Sequence, residues 1–142
     1  MEMDIDFNVD NNNNNLIDIR GKYKDITKKF LKYYYNNYDN SFGKLNTLYK
    51  ENSYFTWLKE EIVGFQNYIN RLKQYNIKKF KHNNKINYSS QPVGTNSILI
   101  NVTGKISINN SIFQHQFSET IVLVRDKNNK FYIPHTMFVL LD

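Results

Sequence analysis

One carboxylate stands where it could do chemistry. Glu119 lies in Phe117-Ser-Glu-Thr-Ile121, and if Phe117 and Ile121 face a core by the two-residue period of a strand, Glu119 faces it as well. A carboxylate in an apolar interior ionises reluctantly. It is then either a base with a raised pKa or a structural group, hydrogen-bonded to tyrosines of a helix or paired with a lysine. No Asp-His dyad accompanies it on a recognisable spacing. His82, His115 and His135 are far apart, with no acid or Cys at ligand spacing, so no metal is expected. Gly-rich phosphate loops are absent as well, and no cofactor is expected.

The second chemical pattern is basic. Arg71 to Lys85, RLKQYNIKKFKHNNK, interleaves Arg71, Lys73, Lys78, Lys79, Lys81 and Lys85 with Tyr75 and Phe80. Phosphate contacts and base stacking on such a segment would give a weak RNA contact. The same residues also suit a solvated helix end and an edge strand kept from aggregating by lysines. Charge is divided along the chain. Residues 1–18 hold Glu2, Asp4, Asp6, Asp10 and Asp18 and no Lys or Arg. Removing those five acids from the thirteen leaves 19 basic against eight acidic residues, a net of +11 on the remainder. Such a body suits nucleic acid or acidic partners, or reflects a coding bias toward Lys and Asn, as the run Asn11 to Asn15 suggests.

At 142 residues the chain suits one domain. The absence of Cys excludes disulfides and thiolate zinc sites and suits a reducing compartment, cytosol or nucleus. MEMDIDFNVD lacks the pattern of a signal peptide, and apolar runs such as Ile121 to Val124 are short, so no membrane contact is expected.

The elements that must position these groups follow from periodicity. Residues 1–18 read as a disordered, acidic, Asn-rich arm, and 19–142 as the folded domain. Ile19, Tyr23, Ile26, Phe30, Tyr34 and Tyr38 form the stripe of a long first helix. With Phe30 at zero, Tyr34 lies near 40°, Tyr33 near −60° and Tyr35 near 140°, an apolar arc about 200° wide. One flank of that arc should meet something other than a sheet. Asn36 to Gly43 reads as a turn, Lys44 to Lys50 as a short helix, Tyr54 to Trp57 as a strand, and Phe65 to Gln74 as a third helix after Gly64. Lys79 to Gln91 is a weak strand. Ser97 to Ile108 alternates with Ile98, Ile100, Val102, Ile106 and Ile108 on one face; a hairpin at Asn109-Asn110 leads to Phe113, Phe117, Ile121 and Leu123 on one face; and Phe131 to Leu141 closes the sheet.

These residues resemble the nuclear transport factor 2-like family, an α+β cone of three N-terminal helices packed on a curved antiparallel sheet. The family's opening pattern is Phe-Val-x-x-Tyr-Tyr, nine residues, Leu-x-x-(aliphatic or aromatic)-Tyr, then seven residues to Trp. Here Phe30, Leu31, Tyr34 and Tyr35 are followed by nine residues, then Leu45, Leu48 and Tyr49, then KENSYFT and Trp57. Gly64 with Ile69, Gln91-Pro92, Gly104, Phe117 with Leu123, and FYIPHTMF (131–138) continue the likeness over about residues 22 to 140. The resemblance implies a non-enzymatic module, homodimeric through the outer face of its sheet. Alternation puts Leu99, Asn101, Thr103, Gln116, Ser118, Thr120, His135 and Met137 on that face.

Within the family, the pattern is closest to the N-terminal domain of the Ras-GAP SH3-domain-binding proteins, the scaffolds of stress granules. In those proteins a groove beside the first helix receives Phe-Gly-Asp-Phe peptides. The matching positions here are Phe30, Leu48 and Phe138, with Tyr33 at the flank and Tyr23 where the transport factor meets Phe-Gly repeats of nucleoporins. The transport factor itself holds Ran-GDP through a Glu after the tryptophan and acids in the loop matching ISINNSIF (106–113). This chain has Leu58 and Asn109-Asn110 at those places, with Glu60 and Glu61 nearby, so Ran-GDP is not an expected partner. The alternatives are a nucleocytoplasmic transport or mRNA-export adaptor, and a small-molecule enzyme of the same cone using Glu119 as base. The location implied is cytoplasmic, with nuclear or nuclear-pore association.

Overall fold

The computed structural model describes residues 18–141; the expectation for the arm falls on residues outside these, apart from Asp18. The Asp18 carboxylate accepts the backbone N–H of Arg20 and starts a 3-10 turn, Ile19–Gly21, whose Ile19 is buried. Helix α1 follows, Tyr23–Asn40, and buries Ile26, Phe30, Leu31, Tyr34, Tyr35 and Tyr38. It runs through the asparagines expected to form a turn. Asn37 Nδ2 donates to the Tyr33 carbonyl and Asn40 Nδ2 to that of Asn36, so these side chains bond back one turn and satisfy themselves within the helix. Leu45 and Leu48 lie in a 3-10 helix, Phe42–Leu48.

The strands are β1 (Tyr54–Trp57), β2 (Glu60–Val63), β3 (Phe80–His82), β4 (Asn87–Val93), β5 (Ser97–Ile108), β6 (His115–Arg125) and β7 (Phe131–Leu140), with helix α2 (Phe65–Gln74) between β2 and β3. Their order is β2-β1-β7-β6-β5-β3, with β4 also paired to β5. β1 and β7 run parallel, so the sheet is mixed where an antiparallel one was expected. The weak strand of 79–91 is two strands, β3 and β4, sharing one edge of β5. Between them the chain passes over Gly104, where a Cβ would come within 3.1 Å of Ile86 and 3.2 Å of the Phe117 ring. Phe113 belongs to the β5–β6 loop and is exposed, because β6 begins only at His115.

β2 has no counterpart in the sequence reading, and its turn explains why. Leu58 and Lys59 join β1 to β2 with φ of 50° and 71°, the left-handed pair that two-residue hairpins need and that Asn-Gly normally signals. Lys59 is exposed, so Lys59→Gly removes a strained L-residue without loss of packing. It is expected to stabilise the fold by about 1 kcal/mol, read as a rise in urea midpoint.

A bulge in β7 decides which residues face inward. Val122 pairs with His135 and Val124 with Tyr132, so Ile133 and Pro134 together oppose Leu123. Pro has no ladder N–H to lose at such a point. Before the bulge Phe131 and Ile133 are buried, and after it Thr136 and Phe138 are. Thr136 is thereby turned into the cone, and His135 and Met137 out of it.

A buried carboxylate and the surfaces around it

β6 aims Glu119 inward between Phe117 and Ile121, and the side chain is only 2% exposed. Its Oε1 accepts from the Tyr35 hydroxyl at 2.7 Å, and its Oε2 from Tyr34 at 2.9 Å and Thr136 Oγ1 at 3.0 Å. Consecutive tyrosines reach one carboxylate because α1 lies in the curl of the sheet, which buries the wide arc of the helix. Tyr35, at the far edge of that arc, packs on His82 and Phe117. The Tyr34 hydroxyl also meets that of Tyr49 at 3.1 Å, and those of Tyr38 and Tyr68 bond each other.

Burial pushes the Glu119 carboxyl above its ordinary range, while the Tyr35 hydrogen bond, the nearby His82 and the Tyr34 and Thr136 hydrogen bonds oppose it in that order. The phenols of Tyr34 and Tyr35 are pushed well above theirs, by burial first and the Glu119 charge second. They therefore keep their protons and donate. Of the readings open to Glu119, the donors are helix tyrosines and a threonine. A base must present a free lone pair to a substrate proton; here three hydroxyls bond the carboxylate, and Tyr34, Phe117 and Trp57 are all buried.

An Asp-His pair does stand beside this network, contrary to the sequence reading. Asp39, at the end of α1, accepts the His82 backbone N–H at 2.8 Å through Oδ2, and its Oδ1 lies 2.6 Å from His82 Nδ1. Both side chains are largely buried, and the His82 ring packs against Tyr35, Tyr38 and Phe117. Asp39 thus fastens β3 to α1. The 43-residue separation hid the pair from any spacing rule. Among the described residues no three His, Cys, Asp or Glu side chains converge as a metal site would require.

The five positions matched to a peptide groove are not brought together as an open groove. Phe30 is 0% exposed and stacked on Tyr34, Leu48 is buried, and Phe138 is buried between Trp57 and Phe117. These three are core residues, because the sheet closes over the arc that the groove was expected to use. Tyr23 and Tyr33 are partly exposed at the flank of α1. In the basic segment, Phe80 is buried and the Arg71 guanidinium is bonded to Glu60 at 2.6 Å. Tyr75 is exposed with its hydroxyl on Glu60, so of the two aromatics named for the RNA contact Tyr75 stands at the surface, with exposed Lys73, Lys78, Lys79, Lys81 and Lys85 in the same segment.

The eight residues assigned to the outer sheet face do share it. Asn101 pairs with Thr120, Thr103 with Ser118, Lys105 with Gln116 and Leu99 with Val122; Thr120 pairs with Met137 and Val122 with His135. Asn101 Nδ2 ties the centre together, donating to Ser118 Oγ at 3.2 Å and Thr120 Oγ1 at 3.0 Å. Val122 and Val139 belong to the same face. The alternation already used, carried two residues further along each strand, would have found them.

Known proteins share this fold. Residues 26–140 match the family model described as the Nuclear transport factor 2 (NTF2) domain. The "Nuclear transport factor 2" of Candida glabrata is 25% identical over 116 residues, covering 81% of this chain and 91% of that protein. A solved nuclear transport factor 2 from Cryptosporidium parvum superposes with a TM-score of 0.75 at 25% identity, over 88% of this chain and 99% of that one. At 20% identity, a chain in the yeast complex of the deubiquitinase Ubp3 with its cofactor Bre5 shares the fold, with a TM-score of 0.62 over 84% of this chain and 97% of that one. With its cone, its buried carboxylate and a family match spanning most of its length, the chain belongs to the nuclear transport factor 2 domain family.

Proposed function

We propose that this protein is a non-enzymatic, homodimeric interaction module that binds short Phe-containing segments of scaffold or nuclear-pore proteins in the cytoplasm and at the pore. The observation that carries the reading is the filled interior. With Glu119 covered by three hydroxyls and its surroundings packed by aromatic rings, the cone offers partners its surfaces. Among the described residues, no helix is long and apolar enough to cross a membrane.

The outer sheet face supports the dimer. Met137 is 51% exposed, Val122 lies diagonally from it on β6 with Leu99 beyond on β5, and polar Asn101, Ser118 and Thr120 are arranged in a hydrogen-bonded cluster. Apolar side chains beside polar groups that are already satisfied suit a self-complementary patch. Light scattering at micromolar concentration is expected to give twice the chain mass of 17.0 kDa, and Leu99→Asp with Met137→Asp to give the single mass. A monomeric wild-type protein would end this part of the reading.

With Phe30, Leu48 and Phe138 enclosed, Tyr23 and Tyr33 carry the peptide contact. A Phe-Gly-Asp-Phe peptide loses chain entropy on binding, so micromolar affinity is expected. Tyr33→Ala should weaken it about tenfold, as an aromatic contact worth more than 1 kcal/mol implies. Calorimetry with no heat, and no displacement of a labelled peptide at 100-micromolar competitor, would reject it.

A second reading, carriage between cytoplasm and nucleus, is favoured by the relatives named nuclear transport factor 2. Its separating test is the Ran-GDP assay considered in the Discussion.

A further inference from the structure

At the C-terminal ends of α1 and α2 lies a cleft of about 600 Å³, a volume in the ordinary range of binding sites. Phe42, Ile69, Ile77 and Phe80 give it an apolar floor, and Lys73, Lys78 and Lys79 stand around it. All three lysines are exposed, and none is in an ion pair among the described residues. Asp39 is the one acid among the described lining residues, and its carboxylate is already taken by His82. The cleft thus combines apolar contact with a positive rim that no acid of the described residues balances. Neither Tyr23 nor Tyr33 lines it, and neither does Trp57 or Leu58, so it is a surface apart from the peptide contact at the flank of α1.

The backbone adds a second feature. β3 ends the strand order, so one of its edges meets no other strand. On its other edge, the Asn109 N–H donates to the Lys79 carbonyl at 2.8 Å, and the Asn83 N–H to the Lys105 carbonyl at 2.8 Å. These two bonds bracket the pairs Phe80–Ile108 and His82–Ile106, which are therefore pairs that exchange no hydrogen bond with each other. The N–H and C=O of Phe80 and His82 consequently point away from β5. Asp39 accepts the N–H of His82 at 2.8 Å. No group among the described residues bonds to the backbone of Phe80 on that edge, and Phe80 lines the cleft.

We infer that the cleft binds an extended acidic segment of a partner protein, with apolar side chains at every second residue on the floor, carboxylates toward Lys73, Lys78 and Lys79, and one backbone pair on Phe80. Each part of the site requires one part of this ligand. The floor requires an apolar side chain. Three separate cations suit several carboxylates along a chain, whereas an amphiphile with one headgroup supplies a single charge. The open N–H and C=O of an edge strand take an extended backbone, and an extended segment sorts apolar and acidic side chains onto opposite faces. RNA is the poorer fit, because bases stack on exposed rings. The rings here are already packed, Phe80 being buried and Phe42 lying against Tyr38 and Phe65.

The probe is a fluorescein-labelled Glu-Glu-Leu-Glu-Leu-Glu peptide, titrated with the full-length protein and followed by anisotropy. A short segment loses chain entropy on binding, so an affinity of about tens of micromolar is expected. It should fall about tenfold or more in about 0.5 M salt, as the exposed charges are screened. Lys78→Glu with Lys79→Glu should cause a loss of similar size, and so should serine in place of both leucines of the peptide. Tyr33→Ala should leave the affinity unchanged. In the NMR spectrum, saturating peptide should shift the amides of Ile69 and of residues 73–80 and slow hydrogen exchange at the Phe80 amide. Absence of saturable binding, a serine peptide as tight as the leucine peptide, or unchanged exchange at Phe80 would overturn the proposal. So would a loss in Tyr33→Ala equal to that in the lysine variant, which would place the peptide on the flank of α1. Tighter binding of oligouridine than of the peptide, lost in the same lysine variant, would overturn it by making the cleft an RNA site.

Discussion

Glu119→Ala is expected to cost about 4 kcal/mol or more, most of the stability of an ordinary domain, and to leave little folded protein at 37 °C. Removing the carboxylate leaves the hydroxyls of Tyr34, Tyr35 and Thr136 facing a void, and each buried polar group left without a partner costs about 1–3 kcal/mol. Partial rescue within the network, chiefly Tyr34 with Tyr49, brings the sum below three times that figure. Glu119→Gln keeps the shape and a carbonyl acceptor, and the hydroxyls can turn to accept its amide, so it should fold. It should also change the response to pH. Burial raises the folded pKa of Glu119 above its unfolded value near 4.5, so between those two values the folded state holds more protons than the unfolded one. This group's favourable contribution is therefore fully present below about pH 4.5 and falls as pH rises through the folded pKa. Chemical denaturation from pH 4 to 8 should show the wild-type protein losing stability relative to Glu119→Gln over that window. A flat difference, or an Ala variant as stable as wild type, would mean that the hydroxyls do not depend on the carboxylate.

The inward direction of Glu119 was legible because alternation fixes the face of a strand residue once Phe117 and Ile121 are given a core. The same rule placed Leu99, Asn101, Thr103, Gln116, Ser118 and Thr120 on a common outer face, and the helical period placed Ile26, Phe30, Tyr34 and Tyr38 in the interior. Periodicity states direction, not enclosure. Phe30, Leu48 and Phe138 pointed where expected, but whether aromatic side chains in that region line a groove or fill a core depends on how tightly the sheet curls. That curl is set in part by the bulge at Ile133-Pro134, which no pattern of types announces. The Asp39–His82 pair was illegible for another reason: its partners belong to elements whose contact exists only in the assembled fold. β2 escaped because Leu58-Lys59 makes a left-handed turn without the residues that usually signal one.

The chain is expected not to bind Ran-GDP at ten micromolar or tighter. In the transport factor that contact, as the family resemblance gives it, uses a carboxylate after the tryptophan and acids in the loop corresponding to β5–β6. Here Leu58 follows Trp57, half-buried in the β1–β2 turn with its N–H on the Phe138 carbonyl. The loop offers Asn109, whose Oδ1 accepts from the backbone of Lys78 and Lys79 and whose Nδ2 donates to Asn76. Glu60 and Glu61 were the nearby acids able to substitute. Glu60 is bonded to Arg71 and Tyr75, and Glu61 to the Tyr54 hydroxyl, so recruiting either means breaking an existing contact. Leaving one charge of a buried, hydrogen-bonded interfacial pair without its partner typically costs about 2–5 kcal/mol. Two such losses at the lower figure, about 4 kcal/mol, already move a micromolar affinity to about millimolar. Exposed Lys59, Lys78 and Lys79 add repulsion toward lysines on a partner. Surface plasmon resonance with immobilised Ran-GDP decides the matter, and Leu58→Glu supplies the complementary arm. If the missing carboxylate is the cause, this variant should gain measurable binding while the wild type has none. Wild-type binding in the low micromolar range would instead return the protein to carriage of Ran.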